Sequence, residues 1–171
     1  MLVALAQALV DQPRANLQEL SKAIGVSKAT LYRFCRTREQ LIERLLKHAT
    51  KTIGEAIQTA ELDTAPPLEA FRRMTVNNLE HRELSAFLIH YWKPDPTSDP
   101  CPDASWDMAL DAFFLRGQQQ GVFRIDIPAP ALTEIWVSIL LGLVEAERHG
   151  RIARSGLATV MERAFLHGAA L

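Results

Sequence analysis

Cysteine is scarce in this sequence of 171 residues, in which only Cys35 and Cys101 occur. Two cysteines cannot supply the set of disulfides that stabilises many small secreted domains. The five histidines and two cysteines also match no zinc-ligand spacing, and no two of them stand three or four residues apart on one predicted helix. We therefore expect no metal site and no cofactor.

Long apolar stretches are also lacking. The nearest approach, Ile135 to Ala146, is interrupted by Ser138 and runs into charged residues at its end. A helix that spans a bilayer needs about 20 mostly apolar residues, so we expect no membrane span. The opening residues, MLVALAQALVDQPR, have no positively charged region before their apolar positions, unlike a secretory signal peptide. Together these features predict a cytoplasmic protein.

Catalytic motifs are missing as well. The sequence has no G-x-S-x-G elbow, no phosphate-binding glycine loop and no isolated pair of carboxylates. We predict no catalytic residues, while an enzyme that modifies a small molecule stays open as an alternative.

The net charge of −1 hides an uneven distribution of charge. Residues 1–51 carry nine Lys or Arg against four acidic residues, whereas the remainder carries ten against sixteen. A basic segment on an acidic body suits a protein that presents one face to phosphates and keeps the other away from them.

The most informative stretch is residues 16–41, NLQELSKAIGVSKATLYRFCRTREQL. Six apolar residues in it are spaced for one buried face: Leu17, Leu20, Ile24, Val26, Leu31 and Phe34. Gly25 falls where a tight turn needs a positive φ. Three helix starts are marked by capping residues: Asn16 with Glu19, Ser27, and Thr37 with Gln40. This pattern predicts a helix-turn-helix unit.

The second helix of that unit, from Lys28 to Phe34, has a small, polar and basic outer face if Leu31 and Phe34 point into the core. A helix of this width fits the DNA major groove, where Lys, Arg and Thr reach base edges and phosphates. The residues predicted on this face are Ser27, Lys28, Ala29, Thr30, Tyr32 and Arg33. A protein that keeps the fold but binds other proteins through it stays open as an alternative.

The run from Leu20 to Leu41 resembles the DNA-binding domain of the tetracycline-repressor (TetR) family of bacterial transcription regulators. The matching residues are Gly25-Val26-Ser27, Leu31-Tyr32-Arg33-Phe34 and Arg38-Glu39-Gln40-Leu41. The resemblance implies a homodimer whose all-helical ligand-binding domain releases DNA when a small molecule binds. By position it implies DNA contacts from Ser27, Lys28, Thr30, Tyr32 and Arg33, and a DNA phosphate held by Arg38, where the family usually has Lys. The sequence departs from the family pattern at Ser21, where Ala is usual, and has no basic tail before the first helix.

The whole sequence predicts an all-α fold of about nine helices. We place a domain boundary near residues 48–52, within a long helix that begins after Thr37. This division gives a helix-turn-helix DNA-binding domain over residues 1–50 and a helical ligand-binding and dimerisation domain over residues 51–171. Pro66 and Pro67 predict the start of a helix, and KPDPTSDPCPD predicts a long loop. GVFRIDIPAPA predicts a brief extended passage before Pro130 opens another helix.

The last two predicted helices carry more apolar surface than one core can use. The segment between Ile135 and Val144 is apolar almost all round, and Gly142 would let a second helix approach closely. We predict a homodimer that pairs these helices with those of a second copy in a four-helix interface. Burial of both helices within a monomer stays open as an alternative.

Aromatic residues are concentrated in the second part of the chain, with ten of the twelve beyond residue 70. Three tryptophans exceed what a tight core of this size prefers, because a buried indole N–H needs a partner. We therefore predict a mostly apolar cavity for a small-molecule effector, with a few polar groups that include either Asn77 or Asn78. The predicted lining is Met74, Asn77, Phe87, His90, Tyr91, Trp106, Phe113, Arg116 and Trp136. The predicted partners are a double-stranded DNA operator, this effector and a second copy of the chain.

Overall fold

The computed structural model describes residues 1–92 and 106–169, and these residues form nine α-helices and no β-strand. The helices are α1 Leu2–Asp11, α2 Leu17–Ala23, α3 Lys28–Phe34, α4 Arg38–Gln58, α5 Pro67–Glu80, α6 Arg82–Tyr91, α7 Trp106–Gln119, α8 Ala129–Arg148 and α9 Leu157–Ala169. The predicted all-α fold is confirmed. The predicted loop KPDPTSDPCPD, residues 93–103, lies outside the described residues.

The starts of α2 and α3 have the predicted caps. The Asn16 side chain accepts hydrogen bonds from the N–H groups of Gln18 and Glu19, at 2.9 and 3.0 Å. Glu19 accepts in return from the N–H of Asn16 at 2.8 Å, which completes a capping box. Ser27 accepts from the N–H of Thr30 at 3.1 Å. Each cap satisfies N–H groups that the first helical turn leaves unpaired.

The turn between α2 and α3 is a Schellman motif centred on Gly25. Its φ of 70° lies in the left-handed region, which costs a glycine little. The N–H of Gly25 donates to Lys22 O at 3.1 Å, and the N–H of Val26 donates to Ser21 O at 2.9 Å. These bonds end α2 and fix the direction in which α3 begins.

The start of α4 differs in one detail from the capping box predicted there. Thr37 accepts from the N–H of Gln40 at 3.2 Å, as expected. The Gln40 side chain, however, accepts from the N–H of Arg36 at 3.0 Å instead of that of Thr37. The Gln40 side chain thus stabilises the connection between α3 and α4.

Prolines mark the starts of α5 and α8. Pro66 is the N-cap of α5, and Pro128 is the N-cap of α8. The passage before α8 contains a turn, an isolated bridge residue at Phe123 and bends over residues 125–127, so the predicted extended passage is limited to its start. Gln118 holds it in this shape by donating to Arg124 O at 2.8 Å and to Ile127 O at 2.7 Å.

The buried apolar residues form two clusters that meet along α4. The N-terminal cluster contains residues of α1, α2, α3 and the first half of α4, together with Leu84 and Phe87 of α6. The C-terminal cluster contains residues of the second half of α4 and of α5 to α9. Along α4 the change falls between Ala49 and Ile53. One continuous helix is therefore part of both clusters.

α8 is long and apolar enough to cross a bilayer by length and composition, with a mean hydropathy of 1.5 over its most apolar 18 residues. Core helices of soluble proteins pass the same test, so the expectation of no membrane span stays a prediction. Of those 18 residues 33% are buried, which leaves much of the helix uncovered by the described part of the chain.

Candidate nucleic-acid interface and ligand cleft

α3 presents a polar and basic face to solvent. Lys28, Ala29, Tyr32 and Arg33 are exposed, whereas Leu31 is fully buried and anchors the helix in the N-terminal cluster. Tyr32 keeps 42% of its surface exposed, although an aromatic side chain usually seeks burial. The predicted outer face is thus brought together on one side of α3.

Neighbouring groups order this face. Lys28 Nζ lies 5.5 Å from the centre of the Tyr32 ring and 3.3 Å from Gln18 Oε1. The hydroxyl oxygens of Ser27 and Thr30 are 2.8 Å apart, and Ser27 also caps the helix. Ser27 and Thr30 therefore have structural roles in addition to their place on the predicted face.

A shallow concave surface continues from α3 onto α4 and is strongly basic. Its basic residues are Arg33, Arg36, Arg44 and Lys47, against the single acid Glu43. The Arg44 guanidinium carbon lies 4.9 Å from the centre of the Phe34 ring, which holds this side chain in place. Phosphate contacts of nucleic-acid-binding proteins come from such groups. Arg36, Arg44 and Lys47 were not among the predicted DNA contacts, although the charge excess of residues 1–51 indicated such a surface.

The neighbouring Cys35 is unsuited to chemistry. Its side chain is buried, and Sγ donates to Leu31 O at 3.6 Å. Burial raises the pKa of the Cys35 thiol, with an opposing effect from Arg44. The neutral thiol is a poor nucleophile and metal ligand.

Arg38 is not among the residues that line the basic surface, and its side chain is held within the chain. Its Nη2 donates to Pro13 O at 2.6 Å and to the Tyr91 hydroxyl at 3.2 Å. The Tyr91 hydroxyl donates in turn to Leu9 O at 3.0 Å. Because Pro13 has no N–H, α1 cannot satisfy the carbonyl of Leu9 four residues earlier. This Arg38–Tyr91 clasp therefore ties the start of α4 to the end of α1 and the end of α6.

A cleft with a volume of about 490 Å³ lies among α4, α6, α7 and α8. This size is within the range of about 300–1,000 Å³ that is usual for small-molecule sites. Aliphatic side chains form most of its walls, among them Ile53, Ile57, Leu88, Ile89, Leu110 and Leu140. The polar residues at its surface are Asn78, Ser85, Asp107 and Glu134.

Two of the nine residues predicted to line the effector cavity, Trp106 and Trp136, line this cleft. Trp136 is buried, and its indole N–H donates to Thr75 Oγ1 at 3.3 Å, so the predicted need for a partner is met within the chain. The third tryptophan, Trp92, also lines the cleft. All three tryptophans of the sequence therefore share one site.

The other seven predicted lining residues have different positions. Met74 and Phe113 are buried in the C-terminal cluster, and Phe87 is buried in the N-terminal cluster. Tyr91 belongs to the Arg38–Tyr91 clasp. Helical spacing indicated that these residues lie on apolar helix faces, but it did not determine which cluster each residue would join.

The three remaining polar predictions bind backbone carbonyls. Asn77 donates to Ala56 O at 3.1 Å, while its neighbour Asn78 lines the cleft. Arg116 donates to Leu62 O and Ala65 O, which fixes the α4–α5 connection. His90 is exposed, and its Nδ1 lies 2.8 Å from Ala86 O on the same helix.

The carboxylates beside the cleft are close enough to perturb one another. Partial burial raises the pKa of Asp107, and the negative charges of Glu134 and Asp111 raise it further. A hydrogen bond with Trp106 has the opposite effect. Within residues 1–92 and 106–169, no group of three or more His, Cys, Asp or Glu is arranged to hold a metal ion.

The outer surface of α8 and α9 leaves apolar groups uncovered. Ile135 of α8 is 39% exposed, and Val160 of α9 is 49% exposed. A Cβ added at Gly142 would meet no described atom within 4 Å. The close helix approach predicted at Gly142 therefore does not occur within the described part of a single chain.

Comparisons with known proteins bear on both surfaces. No protein-family model matches the chain. Over 172 aligned positions the chain is 49% identical to the HTH-type transcriptional regulator NfxB of Pseudomonas aeruginosa, covering 99% of this chain and 92% of that protein. It is 25% identical over 150 positions to the HTH-type transcriptional repressor LfrR of Mycolicibacterium smegmatis, covering 88% of this chain and 78% of that protein.

The fold also matches a solved structure, that of the TetR-like transcriptional regulator LfrR from Mycobacterium smegmatis in complex with proflavine. The TM-score is 0.70 at 23% sequence identity, and the match covers 98% of this chain and 92% of that chain. This similarity shows that the two proteins share one fold.

Proposed function

Because the chain belongs to the TetR family of helix-turn-helix transcriptional regulators, we propose that it is a homodimeric repressor of transcription that acts in the cytoplasm. It binds an operator in double-stranded DNA and leaves it when a small molecule occupies the cleft. In this proposal residues 1–50 bind DNA, and residues 51–171 bind the effector and the second copy. The observation that carries the proposal is the exposed polar and basic face of α3.

We assign DNA recognition to two neighbouring surfaces. Lys28, Tyr32 and Arg33 enter the major groove with α3, where their side chains reach base edges and nearby phosphates. Arg36 and Arg44 of the basic surface contact the DNA backbone, which fixes the position of α3 but reads no sequence. Arg38 holds α4 in place instead of contacting DNA, because its guanidinium is already bound to Pro13 and Tyr91.

We assign the uncovered face of α8 and α9 to a second copy of the chain. Exposed apolar groups such as Ile135 and Val160 stand beside exposed polar groups such as Arg163 and His167. A mixed surface of this kind suits a protein partner better than lipid, which favours apolar side chains throughout. In such a dimer the two α3 helices would meet operator half-sites about 34 Å apart, or a multiple of this distance.

Release from DNA would follow from where the cleft lies. Its walls include α4 and α6, and the Arg38–Tyr91 clasp joins the same two helices at the DNA-binding end. A ligand that favours another arrangement of these helices would shift α3 with the start of α4. The coupling can be no larger than the ligand's preference between the two states. The proflavine complex of the related LfrR supports a small molecule as effector.

The proposal is tested by selecting bound sequences from random duplex DNA and measuring the affinity for the selected duplex by gel retardation. The double variant Tyr32→Ala/Arg33→Ala should lose about a hundredfold or more in affinity, since each specific contact contributes about 1–3 kcal/mol. Affinity of the native protein should fall steeply with salt concentration, because phosphate contacts release counterions.

Arg154→Ala serves as the matched control, because Arg154 is an exposed basic residue before α9, far from α3 in the sequence. It should leave the retarded band unchanged. If the Tyr32→Ala/Arg33→Ala variant binds as the native protein does, the assignment of α3 to DNA is wrong. A complex whose affinity ignores salt would favour the alternative in which the helix-turn-helix unit binds proteins.

A further inference from the structure

The end of α1 carries a charge that its own helix does not favour. Asp11 is the last residue of α1, and no basic residue stands in the last turn of that helix. The carbonyl groups at the end of a helix carry partial negative charge, so they repel a carboxylate there. The cation that faces Asp11 belongs to a distant helix, since Nη1 of Arg148 on α8 lies 3.5 Å from Oδ1 of Asp11. Asp11 is therefore placed for a contact between helices and not for the stability of α1 alone.

α8 orients Arg148 for this contact. Nε and Nη2 of Arg148 donate to the two carboxylate oxygens of Glu145, one turn earlier, at 3.1 and 3.0 Å. Two parallel hydrogen bonds fix the plane of a guanidinium group, and here they leave Nη1 for Asp11. The Arg148 side chain is only 21% exposed, so solvent screens its charge less than it would on an open surface. The last turn of α8 is thus joined to the last turn of α1.

The space where α1, α6 and α8 meet is incompletely filled. A hollow of about 280 Å³ lies there, with charged residues beside the apolar side chains of Val10, Ala86 and Val144. Arg82 at the start of α6 is only 11% exposed, and its Nε lies 3.5 Å from Oε2 of Glu147 on α8. Tight packing normally fixes the angle between helices, but at this hollow it is interrupted. The position of α1 against α8 therefore depends strongly on the charged contacts around it.

From these contacts we propose that Arg148 is a positioning residue for DNA binding, which holds residues 1–50 in one orientation on α8 through Asp11. We call this ion pair the Asp11–Arg148 latch. The inference rests on the proposed function, in which α8 pairs with the second copy. Because α1 shares the N-terminal cluster with α2 and α3, a tie from α1 to α8 sets the position of α3 relative to the dimer axis. Two latches in a dimer therefore set the distance between the two α3 helices.

The first test measures the orientation of residues 1–50 without DNA. Nitroxide labels are attached to the full chain at Lys22→Cys on α2 and Val76→Cys on α5, both exposed positions, after Cys35→Ala and Cys101→Ser remove the native thiols. Double electron–electron resonance gives the distribution of distances between the two labels. An excess of unlabelled chain removes distances between subunits, so the result does not depend on whether the chain is a dimer.

Asp11→Asn and Arg148→Gln should each broaden this distribution or shift its maximum, because residues 1–50 are no longer held on α8. The double variant should change it no more than either single variant does, since both remove the same contact. The two substitutions change the net charge in opposite directions, so a general effect of charge would not give the same result for both. Asp11→Glu keeps the carboxylate and should retain the native distribution.

Glu55→Gln is the matched control, because it removes the carboxylate of an exposed ion pair with Lys51 that lies within α4 and joins no other helix. It should retain the native distribution of distances.

The second test measures the preference for half-site spacing by gel retardation. The selected duplex is compared with two versions in which one base pair is inserted or removed between the half-sites. The native protein should bind both altered versions at least tenfold more weakly. Asp11→Asn and Arg148→Gln should reduce this preference by about two- to fivefold, which is the range for loss of a partly exposed ion pair. A purely structural contact would change stability without changing this preference.

The two tests separate this inference from the proposed function. Native distance distributions in Asp11→Asn and Arg148→Gln would overturn the latch, whatever the affinity for DNA, and so would an equal change in Glu55→Gln. Altered distributions with a native spacing preference would overturn the positioning role. Altered distributions together with no duplex binding by the native protein would support the tie between α1 and α8 and remove the repressor. Altered distributions with a reduced spacing preference support both.

Discussion

At the scale of single residues, Gly117 determines how α7 packs on the segment that follows it. A Cβ built at this position would overlap the ring of Phe123, which is fully buried. The ring has little room to move, because its centroid lies 5.8 Å from that of Phe113 and 5.3 Å from that of Phe114. The absence of a side chain at Gly117 is therefore a packing requirement in the middle of a helix.

Gly117→Ala should destabilise the protein, although alanine is the better helix former by about 1 kcal/mol. Overpacking a filled core costs about 1–3 kcal/mol, so we expect a net loss of up to about 2 kcal/mol. Chemical denaturation followed by circular dichroism measures this loss. Phe123→Leu should lower the free energy of unfolding less in the Gly117→Ala background than in the native protein, because the smaller leucine side chain leaves room for the added methyl group. A stabilised Gly117→Ala variant would contradict the packing account.

Residue roles could be predicted where the partner is near in sequence. The caps at Asn16, Ser27 and Thr37 depend on groups within three residues, and all three occur as hydrogen bonds. Arg38 and Arg116 could not be placed in the same way. Arg38 binds Tyr91, 53 residues away, and Arg116 binds Leu62, 54 residues away. Only the packing of distant helices brings such partners together.

At the scale of helices, the Arg38–Tyr91 clasp joins three elements through one hydroxyl. The hydroxyl of Tyr91 supplies the hydrogen bond that Pro13 denies to the carbonyl of Leu9, and it accepts from Arg38. The aromatic ring adds a stacked contact with Phe87, with centroids 4.8 Å apart. The ends of α1 and α6 and the start of α4 are thus held in one arrangement.

Tyr91→Phe should lower stability by about 1–2 kcal/mol, because it keeps the ring but leaves a buried carbonyl without its donor. For a chain of this size that corresponds to a fall of about 2–4 °C in the midpoint of thermal unfolding per kcal/mol. Thermal unfolding by circular dichroism measures the change.

The matched control is Tyr32→Phe, at the other tyrosine of the chain, whose side chain is exposed on α3. Its midpoint should stay that of the native protein. Equal midpoints for the two variants would mean that the clasp contributes nothing to stability.

Helix positions were largely predictable, whereas the faces that line the cleft were not. Prolines, caps and apolar spacing locate most helix ends from nearby residues alone. Which residues line the cleft depends on how α7 and α8 are rotated against α4 and α6. The spacing of apolar residues within one helix does not determine this rotation. Trp106 and Trp136 were predicted because a buried indole N–H needs a partner, whereas Asp107 and Glu134 were not predicted at the cleft, where packing places them.

At the scale of the whole molecule, the proposed dimer requires a small residue at position 142, which Gly142 supplies. The position is open in one chain, and the predicted second helix would approach it closely. Gly142→Arg should therefore prevent pairing, because it puts a long charged side chain where two helices meet. Light scattering after size-exclusion chromatography should give a dimer for the native protein and a monomer for this variant.

The variant should also bind the selected duplex far more weakly, since one subunit reaches only one half-site. Val76→Arg is the control, because Val76 is an exposed apolar residue on α5, outside the proposed interface. It should remain a dimer. A native chain that is monomeric at all concentrations would remove the pairing and with it the half-site spacing.

The completion of the N-terminal cluster by α6 has a consequence for building chimeric regulators. Leu84 and Phe87 belong to this cluster and are buried, and α6 packs against α1 and α4. A chimera that joins residues 1–50 to another effector domain would contain α3 but would lack the Leu84 and Phe87 side chains. The N-terminal cluster of the chimera would stay packed only if the other effector domain supplied matching side chains from its own sixth helix. Specificity for an operator is therefore inherited together with a contact surface that never touches DNA.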